Sequence, residues 1–269
     1  MEYWITVEPN VKIYVNDINP LGRKTILFIH GWPANHKMFE YQYNQLILAG
    51  YRCIGIDMRG FGNSDKPLRG YDYNRLADDV RGVVDALKLR DFTLSGHSTG
   101  GAVAIRYMSR HNGCGVSKLA LFAAAAPSVI QRPYFPYGLT AEDINNIIQA
   151  TYNDRPKILS DFGKRLFFQK VSEPFSDWFF QLGLPAASWA MVAVANTWLA
   201  EVLFDDLAKI HVPTLILHGI HDSVCLYPLA IAQNRGIKNS KLIPFENSGH
   251  GAFYEEKDKF NDELIRFIG

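Results

Sequence analysis

Cysteine is scarce in this chain: Cys53, Cys114 and Cys225 are the only three in 269 residues. Too few and too scattered for a disulfide framework or a zinc site, they are expected to be reduced, partly buried thiols of a cytoplasmic protein. Neither sign of charge prevails, with 28 Lys plus Arg against 27 Asp plus Glu. That balance provides no global field for nucleic acid or an anionic membrane, so neither is expected as a partner. No run approaches the ~20 apolar residues of a membrane span, and the segment from Met1 to Thr6 lacks a basic stretch followed by an apolar one. Cofactor signatures are missing as well. There is no His-Glu-x-x-His and no P-loop. Gly60-x-Gly62-x-x-Asp65 lacks the third glycine of a dinucleotide site, and Pro67 leaves no helix start to hold a pyrophosphate. His211 and His218 are separated by seven extended steps, on the order of 20 Å, too far to share an ion. No metal and no cofactor is expected.

What is present is apolar and strongly patterned. Hydrophobic residues make up 48% of the chain, enough for one large core with an insertion. Tyr3 to Val7 and Val11 to Val15 alternate around Pro9-Asn10 as in an antiparallel hairpin. Strands are expected at Lys24 to Ile29, Tyr51 to Ile56, Asp91 to Ser95, Ser117 to Phe122, Thr214 to Leu217 and Lys241 to Pro244. Helical segments lie between them, at His36 to Ala49, Asn74 to Leu87, Ala102 to Arg110, Pro228 to Asn234 and Tyr254 to Phe267. The alternation breaks between Ala126 and Leu207, where aromatic-rich helical stretches replace strands. The expected architecture is α/β, a mostly parallel doubly wound sheet formed by residues 1–125 and 208–269, with residues 126–207 inserted as a helical cap.

The chain is organised around Gly96-His97-Ser98-Thr99-Gly100, a G-x-S-x-G pattern placed between a strand and a helix. Such a turn holds a serine in strained backbone geometry with its hydroxyl above the sheet, and it needs small neighbours on both sides. Parallel sheets place ligands beyond the carboxyl ends of their strands, and chemically capable residues follow strand after strand. Gly31-Trp32, Asp57, Ser98, Asp222 and His250 each occupy such a position. A serine hydroxyl needs a base, for which a histidine suits near neutral pH, and an acid must orient that base. His250, between Gly249 and Gly251, is the candidate base and Asp222 the candidate acid. Of the other histidines, His36 and His111 read as solvated helix residues, and His30 and His97 as loop braces. The N–H groups of Trp32 and Thr99 are the candidate donors to a developing oxyanion, since Pro33 has none.

These segments carry a resemblance. His30-Gly31-Trp32-Pro33, Asp57-Met58-Arg59-Gly60-Phe61-Gly62-Asn63-Ser64-Asp65, the Ser98 elbow, His218-Gly219-Ile220-His221-Asp222 and Ser248-Gly249-His250-Gly251 together look like an α/β-hydrolase. Within that superfamily the chain resembles the cofactor-free haloperoxidase and aryl-esterase branch. The resemblance implies Ser98 as nucleophile, Asp222 as acid, His250 as base, and an oxyanion hole from Trp32 and Thr99. It also implies promiscuous perhydrolysis, a trait linked to Trp-Pro in the oxyanion loop. Ser223-Val224-Cys225-Leu226-Tyr227-Pro228 departs from the family, which places a proline sooner after the acid. The expected activity is hydrolysis of small uncharged carboxylic esters through an acyl-enzyme. A lactonase or carbon–carbon bond hydrolase with the same residues is the alternative, and a ligand-binding signalling protein on the same scaffold the more distant one. His97, Phe135, Trp178, Trp198 and Val224 are the candidate substrate contacts, under a roof made by the aromatic insertion.

Overall fold

The computed structural model describes all 269 residues. Eight strands form one sheet: β1 (Glu2–Glu8), β2 (Val11–Ile18), β3 (Thr25–Ile29), β4 (Arg52–Ile56), β5 (Phe92–His97), β6 (Val116–Phe122), β7 (Thr214–Gly219) and β8 (Ser240–Phe245). Their spatial order is β1-β2-β4-β3-β5-β6-β7-β8. The β1–β2 hairpin and its junction with β4 are antiparallel, and every other pairing is parallel. The helices are α1 (Glu40–Leu48), α2 (Tyr73–Ala86), α3 (Thr99–Arg110), α4 (Ala141–Asn153), α5 (Arg155–Leu166), α6 (Glu173–Gly183), α7 (Ser188–Ala200), α8 (Phe204–Leu207), α9 (Tyr227–Gly236), α10 (Ala252–Glu255) and α11 (Lys257–Ile268). No single helix is long and apolar enough to cross a membrane.

The parallel strands read as unbroken apolar runs because both faces are covered. Successive side chains of a strand point to opposite faces, and β3 shows the division. Leu27 and Ile29 join the apolar cluster beneath α2, α3 and α9, whereas Ile26 and Phe28 join the one beneath α1 and α11. The helix expected from His36 to Ala49 is two pieces, a 3-10 turn at His36–Phe39 followed by α1. Helices α4 to α7 lie between β6 and β7 in the chain. Their contacts with the sheet's carboxyl edge include Ala187 N–H to the Gly60 carbonyl (2.9 Å) and Gly251 N–H to the Leu166 carbonyl (3.1 Å). Ile144, Ile148, Leu159 and Ala190 from these helices share one apolar cluster with the sheet, so the core continues upward over the strand ends.

Candidate active site

The turn from β5 into α3 puts Ser98 at φ 53° and ψ −120°, a left-handed position that costs an ordinary residue on the order of 1–3 kcal/mol. Four backbone hydrogen bonds hold it there. Ser98 N–H donates to the Phe122 carbonyl (2.9 Å), and the Ser98 carbonyl accepts from Gly101, Ala102 and Ala125. The glycines beside it are sterically required. A Cβ on Gly96 would stand 2.3 Å from the Gly100 carbonyl oxygen, and one on Gly100 would stand 2.3 Å from that of Ile29. Both contacts are with backbone, which cannot step aside. Gly100→Ala is therefore expected to lower the unfolding free energy by more than about 2 kcal/mol, read as a shift of the urea midpoint.

Asp222 and His250 meet beyond the ends of β7 and β8. The end of β7 packs against the loop bearing His250 so closely that a Cβ on Gly219 would lie 2.1 Å from the Gly249 carbonyl oxygen. His221 N–H donates to the Ser248 carbonyl (3.1 Å), and the Ser248 hydroxyl donates to Glu256 (2.6 Å), fixing that loop further. Across this junction His250 Nδ1 lies 2.7 Å from Asp222 Oδ2. A carboxylate only accepts, so Nδ1 carries the proton and the Nε2 of a neutral ring carries the lone pair. Nε2 is buried and has no hydrogen-bond partner, the Ser98 hydroxyl included. The other oxygen of Asp222 accepts from Val224 N–H and Cys225 N–H, each at 2.8 Å.

A second imidazole also reaches the acid. His218, at the end of β7, places Nε2 3.2 Å from Asp222 Oδ2 and 2.6 Å from the Cys225 carbonyl, to which it donates. Burial alone would raise the Asp222 pKa, but His250 and His218 outweigh it and hold the carboxyl well below its ordinary range. Folded-state ionisation of this kind stabilises above the unfolded carboxylate pKa, near 3.9, and is lost as pH falls through the lower folded value. The wild-type protein is accordingly expected to lose more stability than Asp222→Asn on acidification from about pH 4 downward. Paired thermal melts across that range measure the difference.

His97, expected at the substrate, lies behind the site. It is absent from the cavity lining, and its ring packs on His250 (4.5 Å between centroids) and Phe253. Its Nε2–H donates to the His250 carbonyl (2.9 Å). Burial drives its pKa well below 6.5, so it adds no positive charge beside the base. His30 braces the neighbouring loop, donating from Nδ1 to the Gly31 carbonyl and accepting from Met58 N–H. Burial lowers its pKa to about 4. His36 corrects the expectation of a solvated residue. It is buried in the 3-10 turn against the sheet, and its Nδ1–H donates to Asp57 Oδ1 at 2.7 Å.

A cavity opens directly over Ser98. Trp32, Thr99, Trp198, Val224 and Cys225 surround its floor, and Val129, Leu139, Ile147 and Phe162 extend its apolar wall. Trp198 is anchored by its Nε1–H to Thr99 Oγ1 (3.2 Å) and by its ring against that of Trp32. Two expected substrate contacts lie elsewhere. Phe135 packs on Tyr137 and Phe204, and Trp178 packs on Phe175 and faces Tyr41, because helical spacing specifies a buried face without specifying which cavity it meets. Cys225 and Arg165 line the cavity and were not expected there. Burial pushes the Cys225 thiol well above its usual pKa, which leaves it a neutral wall group. Gly31 lies against Ser98, for a Cβ on it would be 3.1 Å from that of the serine. Trp32, the next residue, lines the cavity with Ser98. The N–H of Thr99, at the first position of α3, has no acceptor within its own helix.

The chain belongs to the alpha/beta hydrolase fold family, whose pattern matches residues 24–257. Among its relatives is the AB hydrolase superfamily protein YisY of Bacillus subtilis (strain 168), 49% identical over 267 residues that cover 99% of each chain. The non-heme chloroperoxidase CPO-A1 of Kitasatospora aureofaciens is 30% identical over 273 residues, 98% of each chain. Of solved structures, the esterase EaEST from Exiguobacterium antarcticum superposes with a TM-score of 0.97 at 43% identity, covering 100% of this chain and 99% of the other. The haloperoxidase and esterase resemblance read from the motifs therefore holds at the level of the family.

Proposed function

We propose that the protein is a serine hydrolase of small carboxylic esters and that Ser98, His250 and Asp222 carry the reaction. What supports this reading above all is the state of His250: one ring nitrogen is held by a buried carboxylate, the other is buried without a partner, and the ring packs on His97, the residue before the strained Ser98. Ser98 Oγ adds to the ester carbonyl while His250 Nε2 takes its proton. The tetrahedral oxyanion accepts from the N–H groups of Trp32 and Thr99. Collapse returns the proton to the departing alcohol and leaves an acyl group on Ser98. Water, deprotonated by the same nitrogen, then releases the acid and restores the hydroxyl. Asp222 keeps His250 in the tautomer this sequence requires and offsets the imidazolium charge.

The apolar floor suits an acyl group whose reacting end is uncharged. Residues 126–207 act in this reading as a cap that supplies the far wall, over a core of residues 1–125 and 208–269. Peroxide in place of water would release a peracid from the same acyl-Ser98, a side reaction for which the Trp32-Pro33 pair argues. A panel of short aryl and alkyl esters, lactones and β-diketones assayed on the purified protein tests the assignment. Esters are expected to be turned over at least about tenfold faster than the others, as a one-kcal/mol-scale preference in transition-state binding would give. Faster turnover of a lactone or diketone would reassign the bond cleaved.

A further inference from the structure

One cation lines an otherwise apolar cavity. Nine of the twelve residues around the space above Ser98 are hydrophobic, and the remaining three are Ser98, Thr99 and Arg165. Thr99 Oγ1 is engaged by Trp198, and Ser98 is the reacting group of the proposed chemistry. Trp32 Nε1–H is buried there without a partner and the Thr99 hydroxyl keeps its own proton to donate, but among the lining groups Arg165 alone carries a charge. It stands in the last turn of α5, three residues after Phe162, so both side chains leave the same face of the helix and line the same wall. A guanidinium carries five N–H donors. Here the guanidinium donates to the protein once, from Nη2 to the Ser223 carbonyl at 2.6 Å. The backbone completes the tie, with the Ser223 hydroxyl donating to the Arg165 carbonyl at 3.3 Å. No carboxylate forms an ion pair with it. Asp143, which feels its charge, forms no ion pair with it and accepts at Oδ2 from Thr140 N–H and the Thr140 hydroxyl, at 2.8 and 2.7 Å.

We propose that Arg165 is a specificity-determining residue that binds a carboxylate on the substrate, so that the preferred esters are monoesters of short aliphatic dicarboxylic acids. The inference rests on the ester-hydrolase reading of the Ser98 site. The neutral ester group sits over Ser98, the methylene chain crosses the apolar wall of Leu139, Ile147 and Phe162, and the distal carboxylate meets the exposed guanidinium. A planar carboxylate can take two parallel N–H donors from an arginine, a geometry that an ammonium cannot offer. Because the guanidinium remains in contact with solvent, the ligand carboxylate is only partly desolvated on binding. The interaction is therefore modest and weakens with salt. The earlier expectation of wholly uncharged substrates is refined accordingly: uncharged at the reacting end, anionic at the other.

Monomethyl adipate and methyl hexanoate form a matched pair, differing in a terminal carboxylate against a terminal methyl. In the wild-type protein the ratio of kcat/KM for the monoester over the neutral ester is expected to exceed unity and to fall in 1 M sodium chloride. In Arg165→Gln that ratio should drop about tenfold, through KM rather than kcat, with Arg165→Lys in between. A second arm does not depend on turnover. Calorimetric binding of monomethyl adipate to Ser98→Ala should weaken about tenfold when Arg165→Gln is added. A ratio unchanged within twofold in Arg165→Gln, or equal binding by the single and double variants, overturns the proposal. If neither ester is hydrolysed while binding still depends on Arg165, the carboxylate site stands and the ester-hydrolase reading fails.

Discussion

Ser98→Ala is expected to lower kcat for a short ester by about 10⁶-fold while leaving the protein folded. The size of the loss follows from what remains. Without the hydroxyl, the Trp32 and Thr99 N–H groups can still polarise a bound carbonyl, and His250 can still hold a water. That residue of catalysis is worth about 10³–10⁴ over the reaction in water. No neighbouring group takes over the attack. The Cys225 thiol lines the same cavity, but burial keeps it protonated and so a poor nucleophile. The backbone strain at φ 53° is imposed by the surrounding hydrogen bonds, which alanine retains, so the melting temperature should change little. Hydrolysis of an aryl acetate, with melting followed on the same samples, reads both quantities. Wild-type turnover in a folded Ser98→Ala protein would remove the serine from the mechanism.

Asp222→Asn is expected to lower kcat by about 10⁴-fold, and here the local geometry dictates how. Val224 N–H and Cys225 N–H both donate to Oδ1, so the amide oxygen of an asparagine must remain on that side. Its NH₂ group then replaces Oδ2, facing His250 Nδ1 and His218 Nε2. His250 can accept from that NH₂ only by giving up its Nδ1 proton, which moves the proton to Nε2 and leaves no lone pair for the serine. His218 Nε2 already donates to the Cys225 carbonyl, so it cannot accept, and two donors are forced together. Loss of rate with little change in KM is the expected signature, since the substituted side chain lies beneath the cavity wall. A rate within tenfold of wild type would show that the acid does not set the tautomer.

Much of this arrangement was legible in the sequence, because strong local constraints leave few alternatives. The apolar strand runs and the break after Ala125 indicated the parallel sheet and its insertion. Gly96, Gly100 and Gly101 around Ser98 marked a turn that only small residues can enter. His250 and Asp222 could be placed because each follows a strand of a parallel sheet. Other features depend on contacts between distant segments. His36 lies in a segment that reads as helix, yet it turns inward because Asp57, twenty-one residues later, offers it a buried carboxylate. His218 gave a usable signal, its position at the end of β7, but nothing local reveals that its ring reaches Asp222. Phe135 and Trp178 have the aromatic character of a substrate roof, and tertiary packing turns them to other aromatic neighbours, Phe204 and Phe175. Arg165 is one basic residue in the last turn of a polar helix. Only the placement of α5 above the sheet brings it to the cavity.

The central claim is that an acyl group is carried on one hydroxyl, and trapping that species tests it most directly. The wild-type protein can be mixed with excess activated aryl ester, quenched in acid within the first turnover and analysed by intact mass and peptide mapping. The account predicts one added acyl mass per chain, located on the peptide bearing Ser98 and absent when Ser98 is alanine. An adduct on another residue that forms and decays at the turnover rate, or undiminished turnover with the alanine in place, would contradict it.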